Sequence, residues 1–426
     1  MRRIYVTKSV VLIAFLCWGI GYTLAGNLKS ATAISEVFGD GAKITTVVLN
    51  YPEKIDGSKL GLSSFHVDGR EIIKAYTSST PEKGLASEFG EYVVIELKSG
   101  TVLKPVSQHE TRGKMQGPVA GQKGMHGPGY DPKKDKTEID SVIVEQCLPI
   151  FTLEGEKISP DGKPIVAKSN RTLIADDFKQ LVFHDAKTGI NLSYNLFIPK
   201  DATHGKKHPL VLFMHDAGGA GKGVKHPLLQ GNGATVWASP EWQAKHPCYV
   251  LAPRFERVTV DDDYNTTPDI DVCLDLVEYL VENYDIDCDR VYTTGQSMGC
   301  MMSYVMMIRR PQLFASAFLV AGQWNPAVLA PLAKKNLWLI SCEGDVKSSE
   351  GVANAIAVWK KNGALVVEQT LPLDTTAAAR NEEVHQMLER KGNIYYSRIS
   401  GGSHNNTWRV AYSIEGIRDW LFEQKR

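Results

Sequence analysis

The run Gly295-Gln296-Ser297-Met298-Gly299 sets a serine between two glycines, and its flanks read as strand over residues 291–294 and as helix over residues 298–308. In such a turn the serine is held at a strained strand-to-helix corner. A Cβ on either side would clash, and the Oγ stands exposed at the helix N-terminus. Five residues of this kind occur often by chance; the strand before and the helix after raise a glycine-rich turn to a candidate nucleophile. A serine hydroxyl is a poor nucleophile at neutral pH and needs a base that is itself oriented by a third group. The chain offers both at later strand ends, acid first and histidine last: Asp345 in Cys342-Glu343-Gly344-Asp345, and His404 in Gly401-Gly402-Ser403-His404. Glu343 is the rival acid, and the glycine before Asp345, which allows a turn back toward the site, favours Asp345. Among the 11 histidines, His404 alone combines a glycine-rich loop, a late position and a strand just upstream. His385 falls in a polar helical stretch; His204, His208, His226 and His246 read as surface loop histidines, and His215 as structural.

Acyl transfer also needs donors aimed at the developing oxyanion. One is the backbone N–H after the nucleophile, here Met298, and a second comes from the loop after an earlier strand. That loop is His215-Asp216-Ala217-Gly218-Gly219-Ala220-Gly221, behind an apolar run at residues 210–214. Its glycines could cradle phosphate, but neither G-x-x-x-x-G-K-[ST] nor G-x-G-x-x-G spacing is present. Trp324 and Gln296 are candidate substrate contacts. Asp261-Asp262-Asp263 reads as a solvated loop in preference to a calcium site. No cofactor and no metal are expected.

The elements that must position these groups have two grammars. Residues 44–51, 71–76 and 92–97 are rich in β-branched residues and are punctuated by Gly, Asp and Ser, which suits a small β-sandwich. Residues 108–136, with Gly113, Gly117, Gly121, Gly124, Gly127 and Gly129 and several lysines, read as a mobile loop. After about residue 177, short continuous apolar runs at 210–214, 249–252, 318–321, 337–341 and 394–397 alternate with helical spacing. Ile270, Cys273, Leu274, Val277 and Leu280 recur on one helix face, and Val410, Ile414, Ile417 and Leu421 on a last helix. The pattern predicts α/β with a mainly parallel sheet.

At 426 residues the chain suits two domains. With 48 Lys plus Arg against 48 Asp plus Glu, there is no global electrostatic case for nucleic acid, heparin or an anionic membrane as partner. Arg2, Arg3 and Lys8 precede an apolar run over residues 10–20, and Thr23 and Ala25 follow, which is the order of a secretory signal cleaved after Ala25. A secreted or periplasmic mature protein, outside the membrane, is expected. Without Cys17, six cysteines remain: Cys147, Cys248, Cys273, Cys288, Cys300 and Cys342. They read as buried thiols or as one or two structural disulfides, since none forms C-x-x-C and no histidine stands at metal-ligand spacing.

These residues resemble the α/β-hydrolase superfamily. Within it they resemble secreted bacterial esterases that carry an N-terminal immunoglobulin-like domain and are related to polyhydroxybutyrate depolymerase-like and feruloyl-esterase-like enzymes. The stretches that carry the resemblance are residues 286–299, with Asp287-Cys288-Asp289-Arg290-Val291-Tyr292 leading into the serine motif, residues 210–219, and Ile34-Ser35-Glu36-Val37-Phe38-Gly39-Asp40-Gly41. The resemblance implies a signal peptide at 1–25, an immunoglobulin-like sandwich at 27–172 and an α/β-hydrolase catalytic domain at 173–426. It also implies Ser297 as nucleophile, His404 as base, Asp345 as orienting acid, and Met298 and Ala217 as oxyanion donors. Two departures stand out. His215-Asp216 replaces the His-Gly of many relatives, and Cys300 stands where a second glycine often follows the motif, with Cys342 as a candidate partner. The expected function is hydrolysis of small or polymeric carboxylic esters. A prolyl-oligopeptidase-like peptidase uses the same triad, although the β-propeller usual there has no counterpart here, and an inert hydrolase fold serving a binding protein is the third reading.

Overall fold

A computed structural model describes residues 28–103, 118–122, 141–202 and 205–426. The expected signal at 1–25, most of the loop expected at 108–136 and His204 lie outside the described residues.

The β-branched segments of the N-terminal part form β1 (Ser30–Phe38), β2 (Gly41–Asp56), β3 (Phe65–Val67), β4 (Ile72–Ser78), β5 (Phe89–Leu97) and β6 (Ser141–Gln146). A short ribbon follows, β7 (Ile150–Phe151) with β8 (Lys157–Ile158), and then β9 (Ile165–Thr172). Apart from the ribbon they make one seven-stranded sheet in the order β3-β6-β9-β1-β2-β5-β4. Phe65 and Val67 from one end of that order share an apolar cluster with Val93, Ile95 and Leu97 from near the other, so the sheet curls over its own core.

The second sheet has nine strands. In chain order they are β10 (Lys179–His184), β11 (Asn191–Phe197), β12 (His208–Met214), β13 (Tyr249–Arg254), β14 (Ile286–Gln296), β15 (Ser316–Val320), β16 (Asn336–Cys342), β17 (Val366–Pro372) and β18 (Ile394–Ser400). Their spatial order is β10-β11-β13-β12-β14-β15-β16-β18-β17, antiparallel at β10, β11 and β13 and parallel from β13 onward. Continuous apolar runs arise here because each central strand feeds two cores. Leu210, Leu212 and Met214 enter one cluster, while Val211 and Phe213 enter the other. Helices α1 (His226–Leu229), α2 (Pro240–Lys245), α3 (Asp269–Asn283), α4 (Met298–Arg309), α5 (Val346–Lys361), α6 (Ala377–Glu389), α7 (His404–Ala411) and α8 (Glu415–Glu423) cover the two faces.

Three expectations change. The last helix is two helices, because the Ser413 Oγ donates to the Val410 carbonyl at 2.6 Å and closes a turn between α7 and α8; Val410, Ile414, Ile417 and Leu421 are buried all the same. His208 is no surface histidine: it opens β12, is 3% exposed and lies edge-on to Tyr249. The described cysteines are all free: Cys248, Cys273, Cys300 and Cys342 are buried thiols, one of the two readings, whereas Cys147 and Cys288 are exposed. Cys300 Sγ packs under Gly322 and Cys342 Sγ under Gly402, so the pairing implied for these two is not made. Burial pushes the Cys342 thiol up to about 11.

The two sheets meet at α7 and at the 258–261 segment. A Cβ on Gly39 would overlap the backbone of Arg409, whose guanidinium donates to the Val102 carbonyl at 2.6 Å. Gly121 N–H donates to Val258 O at 2.8 Å, and Val258 N–H to Gln122 O at 3.1 Å.

Candidate active site

Ser297 joins β14 to α4 with φ 53° and ψ −113°, outside both helix and strand regions. Three glycines permit it. A Cβ on Gly295 would stand 2.6 Å from the Gly299 backbone, one on Gly299 would overlap the Met214 carbonyl, and one on Gly322 would lie 3.0 Å from Ser297 O. The Ser297 N–H donates to Val320 O at 3.0 Å, tying the turn to the neighbouring strand.

His404 reaches the serine from the C-terminal end of β18, three strands along the sheet from β14. β18 is followed by Gly401 and Gly402, both at φ 72°, and His404 then opens α7. Its Nε2 lies 3.0 Å from Ser297 Oγ, and its Nδ1 donates to Asp345 Oδ2 at 2.5 Å. Asp345 caps α5, accepts the Ser348 N–H at 3.3 Å and is 7% exposed. Glu343, the rival acid, turns instead to the Gly401 N–H at 3.0 Å. Burial pulls the His404 pKa down, but the charge of Asp345, its hydrogen bond and the charge of Asp216 outweigh that, so the imidazole titrates above its ordinary value.

Met298 is the first residue of α4, so no carbonyl one turn earlier takes its N–H. Ala217 likewise opens the short turn Ala217–Gly219. Beneath that turn the buried His215 ring has Nδ1 2.6 Å from Asp216 O, and its Nε2 accepts the Phe255 N–H at 3.2 Å. This pins one neutral tautomer, and burial lowers its pKa to about 4. Gln296 is buried, with its amide donating to Asp216 Oδ2 at 2.8 Å. Trp324, 5% exposed, packs edge-on against Tyr264 at 5.4 Å.

The loop expected to be solvated at 261–263 is built around a buried carboxylate. Asp261 is 3% exposed and accepts the N–H groups of Ala120, Asp263 and Asn265 and the Asn265 amide. Burial raises its pKa, and these four donors lower it further than burial raises it. Asp262 pairs with Lys347. Trp408, which stands over the His404 ring at 4.9 Å, was missed by sequence reasoning; its place one turn further along the same helix was the available signal. Among the described residues, the side chains near enough to share a cation are Asp287, Cys288 and Asp289, at the opposite end of β14 from Ser297.

Known proteins carry the same parts. The family described as "Esterase Ig-like N-terminal domain" matches residues 30–159, and the prolyl oligopeptidase family matches residues 259–329. A solved structure, "Crystal Structure of a Thermostable Esterase", is 27% identical, covers 93% of this chain and 100% of its own, and superposes with a TM-score of 0.72. A probable acetylxylan esterase A from Aspergillus fumigatus is 32% identical over 95 residues, and acetylxylan esterase A from Emericella nidulans 43% over 47 residues. The chain spans only 26% and 16% of the lengths of these two relatives. Residues 30–159 thus match an esterase immunoglobulin-like N-terminal domain, and the described chain has the fold of a β-sandwich followed by an α/β-hydrolase sheet.

Proposed function

We propose that the chain is a carboxylic ester hydrolase working through an acyl-enzyme on Ser297. The observation that carries this reading is the unbroken hydrogen-bonded line from Asp345 through His404 to Ser297, assembled from three separate strand ends. In this scheme Ser297 Oγ attacks the ester carbonyl carbon while its proton passes to His404 Nε2, and Asp345 holds the imidazolium in register. The N–H groups of Met298 and Ala217 receive the oxyanion. Collapse expels the alcohol, which takes the proton from His404. Water then attacks the acyl carbonyl by the same route, releasing the acid and restoring the serine.

The match of residues 259–329 to the prolyl oligopeptidase family favours a peptidase as the second reading. The immunoglobulin-like domain, together with the esterase that aligns along 93% of this chain, supports the ester. The Arg-rich, apolar, small-residue order of residues 1–25 supports export. The test is a panel of p-nitrophenyl esters of increasing acyl length beside feruloyl and peptide substrates, with Ser297→Ala as control. We expect ester turnover and fluorophosphonate labelling in the parent and neither in the variant. Labelling that persists in Ser297→Ala would remove this serine from the mechanism.

A further inference from the structure

The acyl-transfer scheme leaves one carboxylate at the site unused. Asp216 Oδ1 accepts the Gly218 N–H at 2.8 Å, and its Oδ2 accepts the Gln296 amide at 2.8 Å. One side chain thus joins the loop that carries Ala217 to the residue before Ser297, and a glycine at this position could make neither bond. Both anchorages are rigid. Gln296 is 1% exposed, and the His215 ring fills the space under Gly219, where a Cβ would lie 2.6 Å from Nδ1. Asp216 itself is partly exposed, and its charge is felt at His404. The other charged groups acting there are Asp345 and Lys347, and Lys347 is paired with Asp262. Two negative charges, Asp345 and Asp216, thus act at His404 against one cation that is already paired.

Resting on the acyl-transfer reading, we propose that Asp216 is a positioning and specificity-determining residue: its carboxylate braces the oxyanion loop against the nucleophile turn, and its charge makes the cleft discriminate against esters with an anionic acyl group. The acyl carbonyl must lie against Ala217 for its oxygen to receive that N–H, so substituents on the acyl chain start one residue away from Asp216. A second negative charge brought there is repelled in a site partly shielded from water, whereas a neutral acyl group is not.

Two substitutions separate brace from charge. In Asp216→Asn the side-chain oxygen can still accept from Gly218, and the Gln296 amide can turn to accept from the new NH2 group, so the brace stays and the charge goes. The readout is kcat/KM for p-nitrophenyl hemisuccinate relative to p-nitrophenyl acetate. At low ionic strength this ratio should rise about threefold or more in the Asn variant, and added salt should shrink the difference. The acid limb of its pH profile should also move down, because one of the charges that favour the imidazolium is removed. Asp216→Ala, which removes the brace, should lower kcat on both esters by roughly tenfold. An unchanged hemisuccinate-to-acetate ratio in the Asn variant at low salt overturns the charge role, and parental kcat in the Ala variant overturns the brace. If the Ala variant does not fold, the Asn ratio and pH limb decide alone. Fluorophosphonate labelling of the parent keeps the outcomes apart: no labelling sinks the acyl-transfer reading, whereas labelling with an unchanged ratio sinks only the part given to Asp216.

Discussion

Asp345→Asn tests the proposed line of proton transfer at its buried end. The substitution preserves shape, and the amide oxygen can still face His404 Nδ1, so the fold should survive while the negative charge is lost. Asp345 touches the imidazole at 2.5 Å and is 7% exposed, which leaves little water to replace its charge. The equivalent exchange at serine triads lowers kcat about 10⁴-fold, or about 5 kcal/mol of barrier at 1.36 kcal/mol per decade. The pH profile carries a second, independent sign. In the parent, burial alone would pull the His404 pKa down, and the carboxylates, Asp345 chief among them, raise it above its usual 6.5. Activity should thus be full above that raised value and fall as pH drops through it. In the Asn variant burial prevails, so the residual activity should persist to a lower pH, with its acid limb below about 6.5. The assay is kcat/KM on a short p-nitrophenyl ester from about pH 5 to pH 9, with Glu343→Gln as the control for a carboxylate that bonds Gly401 instead. Activity within tenfold of the parent, or an acid limb that does not move, would refute the assignment of Asp345.

Two further outcomes follow from the groups around the site. His215 is held neutral with its pKa near 4 against 6.5 unfolded, so the stability it contributes is full above pH 6.5 and is lost as pH falls to about 4. At 1.36 kcal/mol per unit this comes to about 3 kcal/mol, and the ring resonances of His215 should not titrate between about pH 7 and pH 5. A titration at the ordinary imidazole value would contradict it. Gly299→Ala places a methyl on the Met214 carbonyl, where strand and helix touch, and should cost at least 1–3 kcal/mol in urea unfolding, roughly the range for overpacking, together with most of the esterase activity. Parental stability would show that β12 and α4 can part.

The parts of this architecture legible in the sequence are those whose cause is local. The glycines around Ser297 are dictated by contacts within a few residues of the turn and by a Met214 carbonyl that approaches too closely for any side chain. The central strands announce themselves because alternate residues such as Val211 and Leu212 feed different cores, leaving no polar position along the run. β17, at the sheet edge, is only partly buried and mixes Glu368 and Gln369 among its apolar residues, so nothing in its pattern marks it as a strand. The burial of Asp261 was invisible for a different reason. One of its donors, Ala120, lies 141 residues away in the N-terminal part of the chain, so no window of sequence contains both. His208 was misread in the same way, since Tyr249 and the neighbouring strand that cover it are remote in the chain.

Part of the backbone strain lies where the proposed chemistry is. Of the five described non-glycine residues with positive φ, Tyr264 at 67°, Ser297 at 53° and Ala321 at 52° lie at the C-terminal ends of the parallel strands or in the loop facing them, while Ile174 at 69° precedes β10 and Lys391 at 51° precedes β18. Each such residue costs about 1–3 kcal/mol and persists only where its surroundings over-determine it. For Ser297 and Ala321 the surroundings are the sheet itself: their N–H groups donate to Val320 O and Ile340 O, on successive parallel strands. Relaxing Ser297 would mean leaving Val320 or driving Gly299 away from Met214, and both partners lie in the fully buried centre of the molecule. Tyr264 is held differently, by a loop wound on Asp261 that is in turn tied to Ala120 of the N-terminal segment. The Ser297 turn is therefore rigid by construction, whereas Asp216 and Asp261 hold their loops through side-chain hydrogen bonds.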